Sequence, residues 1–218
     1  MRVHLLLGAP GCGKGSAAKD LVEKLQLIHL STGDILRDAV SQETEIGLRA
    51  KAIMASGNLV DDDTVNGLVF ARLREETCDV LLDGYPRTLH QAQALDQFLS
   101  DQGIELGHVV EIEVPRDVLA KRVVGRRVCS NPACGAIYHV DNKPPARDGA
   151  CDRCGSHLKQ RSDDTLTAFE SRMLAFEQTF QPMAEHYRGR PQYRSVDGNY
   201  APAVVSGNLF PIFMEMHA

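Results

Sequence analysis

The chain has 218 residues, of which 43% are hydrophobic, and it carries a formal net charge of −5. That length buries a core without staples, in one domain or in one domain with an insertion. The acidic balance excludes a broad nucleic-acid-coating or membrane-surface role, because either needs a basic face.

Residues 2–7 read as a buried strand. The apolar run is too short for a secretory signal, and glycines from residue 8 onward break it at once. No apolar run approaches the roughly 20 residues of a membrane span. A soluble cytoplasmic protein is expected. The loop that follows, residues 8–16, is Gly-Ala-Pro-Gly-Cys-Gly-Lys-Gly-Ser. It has the spacing G-x-x-x-x-G-K. Glycines suit this chemistry because backbone N–H groups must turn inward around phosphate oxygens. The next helix, residues 14–25, points its positive end at the same anion. Gly11, Cys12, Gly13, Lys14, Gly15 and Ser16 are therefore candidate ligands of a nucleotide's phosphates, with Lys14 supplying a mobile charge. Gly15 stands where the common pattern has Ser or Thr, and the hydroxyl comes one place later at Ser16. Cys12 reads as a small filler whose backbone faces phosphate. The bland alternative is a glycine-rich turn with no ligand; the strand before and the amphipathic helix after speak against it.

Strand and helix then alternate. A short strand is expected at 28–30, helices over 33–55 and 62–76, and a strand at 79–83. A helix follows at 88–101, a strand at 109–114, and a helix from 116 to about 127. A long helix at 165–186, a strand at 193–196 and a C-terminal helix complete the series. This alternation implies an α/β fold with a mostly parallel sheet flanked by helices on both faces. Asp83 ends an apolar strand, at the sheet edge where α/β folds bind ligands. It reads either as a carboxylate that orients magnesium or its waters, or as a turn residue before Gly84.

Residues 128–162 break the rhythm. Pro144 and Pro145 exclude a long helix there. The stretch is too short for its own core and needs a staple. Cys129-x4-Cys134 and Cys151-x2-Cys154, separated by sixteen residues, form a tetrahedral zinc pattern. Two disulfides are the alternative, disfavoured in a cytosolic protein. Four sulfurs leave no open position, so the zinc is expected to be structural. His139 and His157 lie in the same insert, but four cysteines already suffice.

Three further segments narrow the reading. They are Ser31-Thr-Gly-Asp-Ile-Leu-Arg37, Asp83-Gly-Tyr-Pro-Arg-Thr88 and Gly125-Arg-Arg127. With the phosphate loop, Tyr138-His139 and Arg161-Ser-Asp-Asp164, they resemble long-lid, zinc-binding adenylate kinases of the nucleoside monophosphate kinase family. The resemblance covers nearly the whole chain and thins after Val196. It implies a P-loop core of residues 1–30, 61–127 and 163–218, an AMP-binding helical insert at 31–60, and a zinc-stapled lid at 128–162. It further implies transfer of the terminal phosphoryl group of ATP to AMP, with magnesium accompanying ATP, by a monomer that uses no nucleic-acid or membrane partner. By the same resemblance Thr32, Arg37, Asn58, Val60, Gly84, Arg87, Gln91, Arg161 and Arg172 match positions that hold AMP, with Gln91 near its adenine. Arg122, Arg126, Tyr138 and Tyr200 match the ATP side. Asp61 stands where Pro or Thr is the pattern.

The nucleophile would be an AMP phosphate oxygen, already ionised, so no general base is needed. Catalysis would be positioning and charge stabilisation. Lys14, Arg87, Arg126, Arg161, Arg172 and Asp83 are the expected catalytic groups. Arg126 and Arg127, read as neighbours on a helix end, should point apart, with Arg126 facing the ligand. Asp163 and Asp164 either orient nearby arginines or cap the next helix. The competing readings are a kinase for another nucleoside monophosphate, a zinc-ribbon nucleic-acid binder with a P-loop domain, and a non-catalytic nucleotide sensor.

Overall fold

The computed structural model describes residues 1–56 and 58–214. Its elements run β1 (Arg2–Gly8), α1 (Lys14–Leu25), β2 (Ile28–Ser31), α2 (Thr32–Ser41), α3 (Glu45–Ala55), α4 (Asp62–Glu75), β3 (Val80–Asp83) and α5 (Leu89–Gln102). They continue β4 (Glu105–Glu113), α6 (Arg116–Val124), β5 (Arg126–Cys129), β6 (Ile137–His139), β7 (Leu158–Lys159), α7 (Leu166–Arg188), β8 (Tyr193–Asp197) and α8 (Pro202–Met214). Among the described residues the central sheet has five parallel strands in the order β2-β3-β1-β4-β8.

The central strands read as continuous apolar runs because both faces are covered. Val3, Leu5, Leu6, Val80, Leu81 and Leu82 are all fully buried. On one face lie Val65, Val69 and Leu73 of α4, Leu95 and Phe98 of α5, and Met183 and Tyr187 of α7. On the other lie Ala17 and Leu21 of α1, Leu119 and Val123 of α6, and Leu209 and Phe213 of α8. The chain leaves β1 toward β2 but leaves β3 toward β4, so the connections diverge above the β1/β3 pair. Such a divergence opens a crevice at the carboxyl ends of the strands. The phosphate loop and Asp83 both stand at that crevice.

Two boundaries differ from expectation. The helix predicted to reach residue 127 stops at Val124, with Gly125 as its C-cap. Arg126–Cys129 is instead the middle strand of a small antiparallel sheet, ordered β6-β5-β7. Its partners are 9 or more residues away in sequence, so no local pattern announces it. The fourth strand begins at Glu105 rather than 109. Gly107 makes its start look like a loop, but the glycine is there to admit a side chain: a Cβ at Gly107 would lie 2.5 Å from His4 Nδ1. Residues 215–218 of the expected C-terminal helix lie outside the described residues. Among the described residues, no helix is long and apolar enough to cross a membrane.

Candidate active site

The phosphate loop is built from the end of β1 to the start of α1. Gly11 adopts φ 86°, and a Cβ there would sit 2.8 Å from Val123 Cγ2 and 2.9 Å from the Leu119 carbonyl. The loop therefore packs against α6 in a way only glycine permits. Gly13 caps α1 in the left-handed region, which leaves the helix's first N–H groups facing outward. Lys14 curls over the loop and donates to the carbonyls of Gly8 at 2.6 Å and Ala9 at 3.0 Å. Cys12 is 1% exposed and its thiol lies under Lys14, as a filler. A Cβ on Gly15 would stand 3.6 Å from Asp83 Oδ2, so the first turn of α1, with Ser16 next along it, abuts that carboxylate. Asp83 is buried at the end of β3, with His29 Nε2 3.5 Å away.

Beside the loop, a cavity is lined by Thr32, Gly33, Leu36, Arg37, Met54, Asn58, Leu59, Val60, Val65, Gly84, Arg87, Gln91, Asp163 and Arg172. Eight of the nine residues matched to AMP line it; Arg161 is the ninth and reaches Asp34 at 3.9 Å instead. Gly84, at φ 77°, is a hub: its carbonyl accepts from Thr32 Oγ1 at 2.9 Å and from Arg87 Nε at 2.7 Å. Asp61 is not on the wall. Its carboxylate caps α4 by accepting from Thr64 N at 2.9 Å, which explains an aspartate there.

The guanidinium groups are held by aspartates. Arg126 pairs with the fully buried Asp164 through two hydrogen bonds, and Arg172 with Asp163 at 3.1 Å. Arg37 pairs with Asp34 at 2.6 Å. Asp163 and Asp164 thus orient arginines, and the cap of α7 falls to Thr165. Arg87 is exposed to the cleft yet crowded by protein, and burial followed by Arg172 pushes its guanidinium down to about 10. Burial followed by Arg37 and Arg126 does the same to Arg161, also to about 10. The cleft therefore concentrates more positive charge than its aspartates offset, and an anion would relieve the repulsion.

Other expected residues do not line this cavity. Arg122 donates to the carbonyls of Gly198 at 2.9 Å, Tyr200 at 3.3 Å and Cys12 at 3.5 Å. It ties the phosphate loop to the loop after β8, where Tyr200 contributes its backbone and leaves its ring exposed. Arg127 turns back to the carbonyls of Val124 and Arg126. Tyr138 does not face the cleft. Its ring is 5% exposed inside the small sheet, and its hydroxyl accepts from Asp152 N at 2.8 Å and lies 3.5 Å from Cys151 Sγ. An inward position in β6 and an apolar cluster too small to spare a ring explain this.

Sulfur atoms of Cys129, Cys134, Cys151 and Cys154 lie within 4.8 Å of one another. Cys129 and Cys154 are 3.5 Å apart, Cys134 and Cys151 3.7 Å. A disulfide would need about 2.05 Å. Tetrahedral zinc, with bonds of about 2.3 Å, sets sulfurs about 3.8 Å apart. The spacing fits a metal centre. The Tyr138 hydroxyl draws the Cys151 thiol down to about 6, while burial pushes Cys129 up to about 12. His139 lies outside the cluster, its Nδ1 accepting from Asp141 N and Asn142 N.

Sequence reasoning missed Asp34, Asp62 and Lys19. Asp34 was legible, since it sits one turn before Arg37 inside a singled-out segment. Asp62 is hidden in a run of three aspartates that reads as helix capping. Lys19 donates to the carbonyl of Gly135, 116 residues away, and no local signal marks that.

The family model for adenylate kinase matches residues 6–192. An adenylate kinase of Moorella thermoacetica is 45% identical over 204 residues, covering 92% of this chain and 93% of its own length. One from Clostridium perfringens is 43% identical over 199 residues, 90% of each chain. One from Thermoanaerobacter pseudethanolicus is 45% identical over 201 residues, 91% of each. Likeness at this level, along a chain whose phosphate loop, paired arginines and parallel sheet have just been described, leaves one conclusion: the protein belongs to the adenylate kinase family of nucleoside monophosphate phosphotransferases.

Proposed function

We propose that this enzyme catalyses the reversible reaction ATP + AMP = 2 ADP and so balances adenine nucleotides. The reading is supported by one observation: Arg37, Arg87 and Arg172 line the cavity together with Gln91 and Gly84, and Gly84 follows Asp83, whose carboxylate lies against the first turn of α1 at the end of the phosphate loop. ATP would lie on the Gly11–Ser16 backbone, with Lys14 swinging from its carbonyls to the outer phosphates. Its base would rest near Arg122 and the Tyr200 backbone. AMP would occupy the cavity, with Thr32, Arg37, Asn58, Val60, Gly84, Arg87 and Gln91 around it.

An AMP phosphate oxygen attacks the terminal phosphorus of ATP, and the bond from that phosphorus to the bridging oxygen breaks. No proton need be removed first. Arg87, Arg126, Arg161 and Arg172 would stabilise the charge that spreads over the moving group; aspartates hold Arg126, Arg161 and Arg172 beforehand, and the Gly84 carbonyl holds Arg87. Planar, permanently donating guanidiniums suit this work. Asp83 would hold magnesium directly or through its waters, and the ion would supply neutralisation of the ATP phosphates. Zinc on the four cysteines would stiffen residues 128–162 as one lid, while residues 31–60 would form the AMP-binding insert. The enzyme is proposed to act as a cytoplasmic monomer that recognises nucleotides, without nucleic-acid or membrane partners.

The test is to mix purified protein with ATP, magnesium and each of AMP, GMP, CMP and UMP, and to follow ADP. AMP should give two ADP per turnover, and Lys14→Met should lower kcat about 100- to 1000-fold. Equal use of all four acceptors would return the function to a general nucleoside monophosphate kinase. Absence of transfer to any would abolish the proposal.

A further inference from the structure

Gln91 is 2% exposed, lies in the first turn of α5 and forms part of the cavity wall. Both ends of its amide are already engaged. Its Oε1 accepts from the backbone N–H of Arg87 at 2.8 Å. Its Nε2 donates to Asp62 Oδ1 at 2.7 Å. The two partners fix which end is which. A backbone N–H can only donate, and a carboxylate can only accept. Asp62 is itself held, since its Oδ2 accepts from Thr88 Oγ1 at 2.6 Å and lies 3.4 Å from His90 Nδ1. Thr88 Oγ1 in turn accepts from Gln91 N at 3.1 Å, which closes a small network around the first turn of α5.

An amide oxygen can accept twice and an amide nitrogen can donate twice. After Arg87 and Asp62 are satisfied, Gln91 keeps one lone pair and one N–H. Adenine offers the matching pair along its pairing edge: an amino donor beside a ring-nitrogen acceptor. A 6-oxopurine, hypoxanthine or guanine, offers the reverse: a carbonyl acceptor beside a ring N–H. To meet that edge the amide would have to turn end for end. Its nitrogen would then face the Arg87 N–H, and its oxygen would face the Asp62 carboxylate. Both contacts are repulsive, and a wrong partner is rejected by the unpaired groups it forces.

We propose that Asp62 is a specificity-determining positioning residue: it touches no substrate, but by locking the Gln91 amide it selects 6-aminopurine over 6-oxopurine monophosphates. This rests on the assignment of the cavity to the acceptor nucleotide. Asp62→Asn is nearly isosteric but can present either a donor or an acceptor, so it removes one of the two locks. Asp62→Glu is bulkier but remains acceptor-only.

The experiment compares AMP with inosine monophosphate, which has the same ring outline and the reversed edge, as acceptors at saturating ATP and magnesium. Wild type, Asp62→Asn and Asp62→Glu are assayed, with thermal midpoints measured on each. The kcat/KM ratio of AMP to inosine monophosphate should fall about tenfold or more in Asp62→Asn, mainly through KM, the effect of one hydrogen-bond conflict removed. It should stay nearer the wild-type ratio in Asp62→Glu, even though Glu disturbs packing more. If the ratio is unchanged in Asp62→Asn, or if loss of selectivity follows side-chain size so that Glu is the worse variant, Asp62 merely ties α4 to α5 and the inference fails alone. Wild-type protein that accepts neither monophosphate overturns the assignment of the cavity, and this inference with it.

Discussion

Asp34 serves two arginines at once. It accepts from Arg37 at 2.6 Å and faces Arg161 at 3.9 Å. Burial opposes its ionisation, but Arg37 and then Arg161 outweigh that and hold the carboxyl below its ordinary value of 3.8. A carboxyl depressed in the folded state stabilises fully above its unfolded pKa, and loses that contribution as pH falls through its folded pKa. Asp34→Asn should therefore lower the thermal midpoint at pH 7, and the gap from wild type should close as the pH falls below about 3.8. Because the side chain is half-exposed, the effect should be under about 1 kcal/mol. A gap that widens in acid would contradict the pairing. The same substitution frees Arg37 and Arg161, so nucleotide affinity need not follow stability.

Helix α1 carries more than the phosphate loop. Lys19, on its second turn, donates to the Gly135 carbonyl, one residue beyond Cys134. Ile137 of β6 comes within 3.8 Å of where a Gly15 Cβ would be. The small sheet therefore rests on α1, and the loop and the sheet share one support. Burial pushes the Lys19 amine down, with Asp34 acting against it. Lys19→Met keeps the stem and removes the latch. Closure over ATP should weaken, raising KM for ATP about three- to tenfold while product release, and so kcat, is not slowed. Steady-state kinetics at fixed AMP would check this, and an unchanged KM would show that the contact carries no closing energy.

At the scale of the molecule, stability is divided unevenly. The central sheet has two extensive apolar clusters, one on each face. The small sheet has a cluster of just five buried residues among those described, Cys129, Ala136, Tyr138, Cys151 and Leu158, with Cys134 packed beside them. Three of those are metal-ligand candidates, so the cluster has little to hold it without an ion. Chelation of zinc should speed backbone hydrogen exchange across residues 126–160 and leave β1, β3 and β4 protected. Identical exchange with and without metal would refute a stapling role. Activity should fall with the loss of lid order, and restored zinc should recover both.

The sequence by itself determined what contiguous residues can decide: the buried strands 2–7 and 79–83, the glycine loop between a strand and an amphipathic helix, the alternation of strands and helices, and four cysteines at metal spacing. These signals are legible because periodicity, turn chemistry and ligand spacing act within a dozen or so residues. Tertiary structure alone decided the rest. Arg126 and Arg127 joined a strand because β6 pairs with them. Gly107 belongs to a strand because His4 fills the space beside it. Tyr138 turned inward to complete a small core. The Asp164 that holds Arg126, and the Asp62 that fixes Gln91, come from segments brought together only when the elements pack. An amphipathic pattern says which face of a helix is buried, but a hydrogen bond across 29 or 116 residues depends on the register of packed elements, which no local pattern encodes.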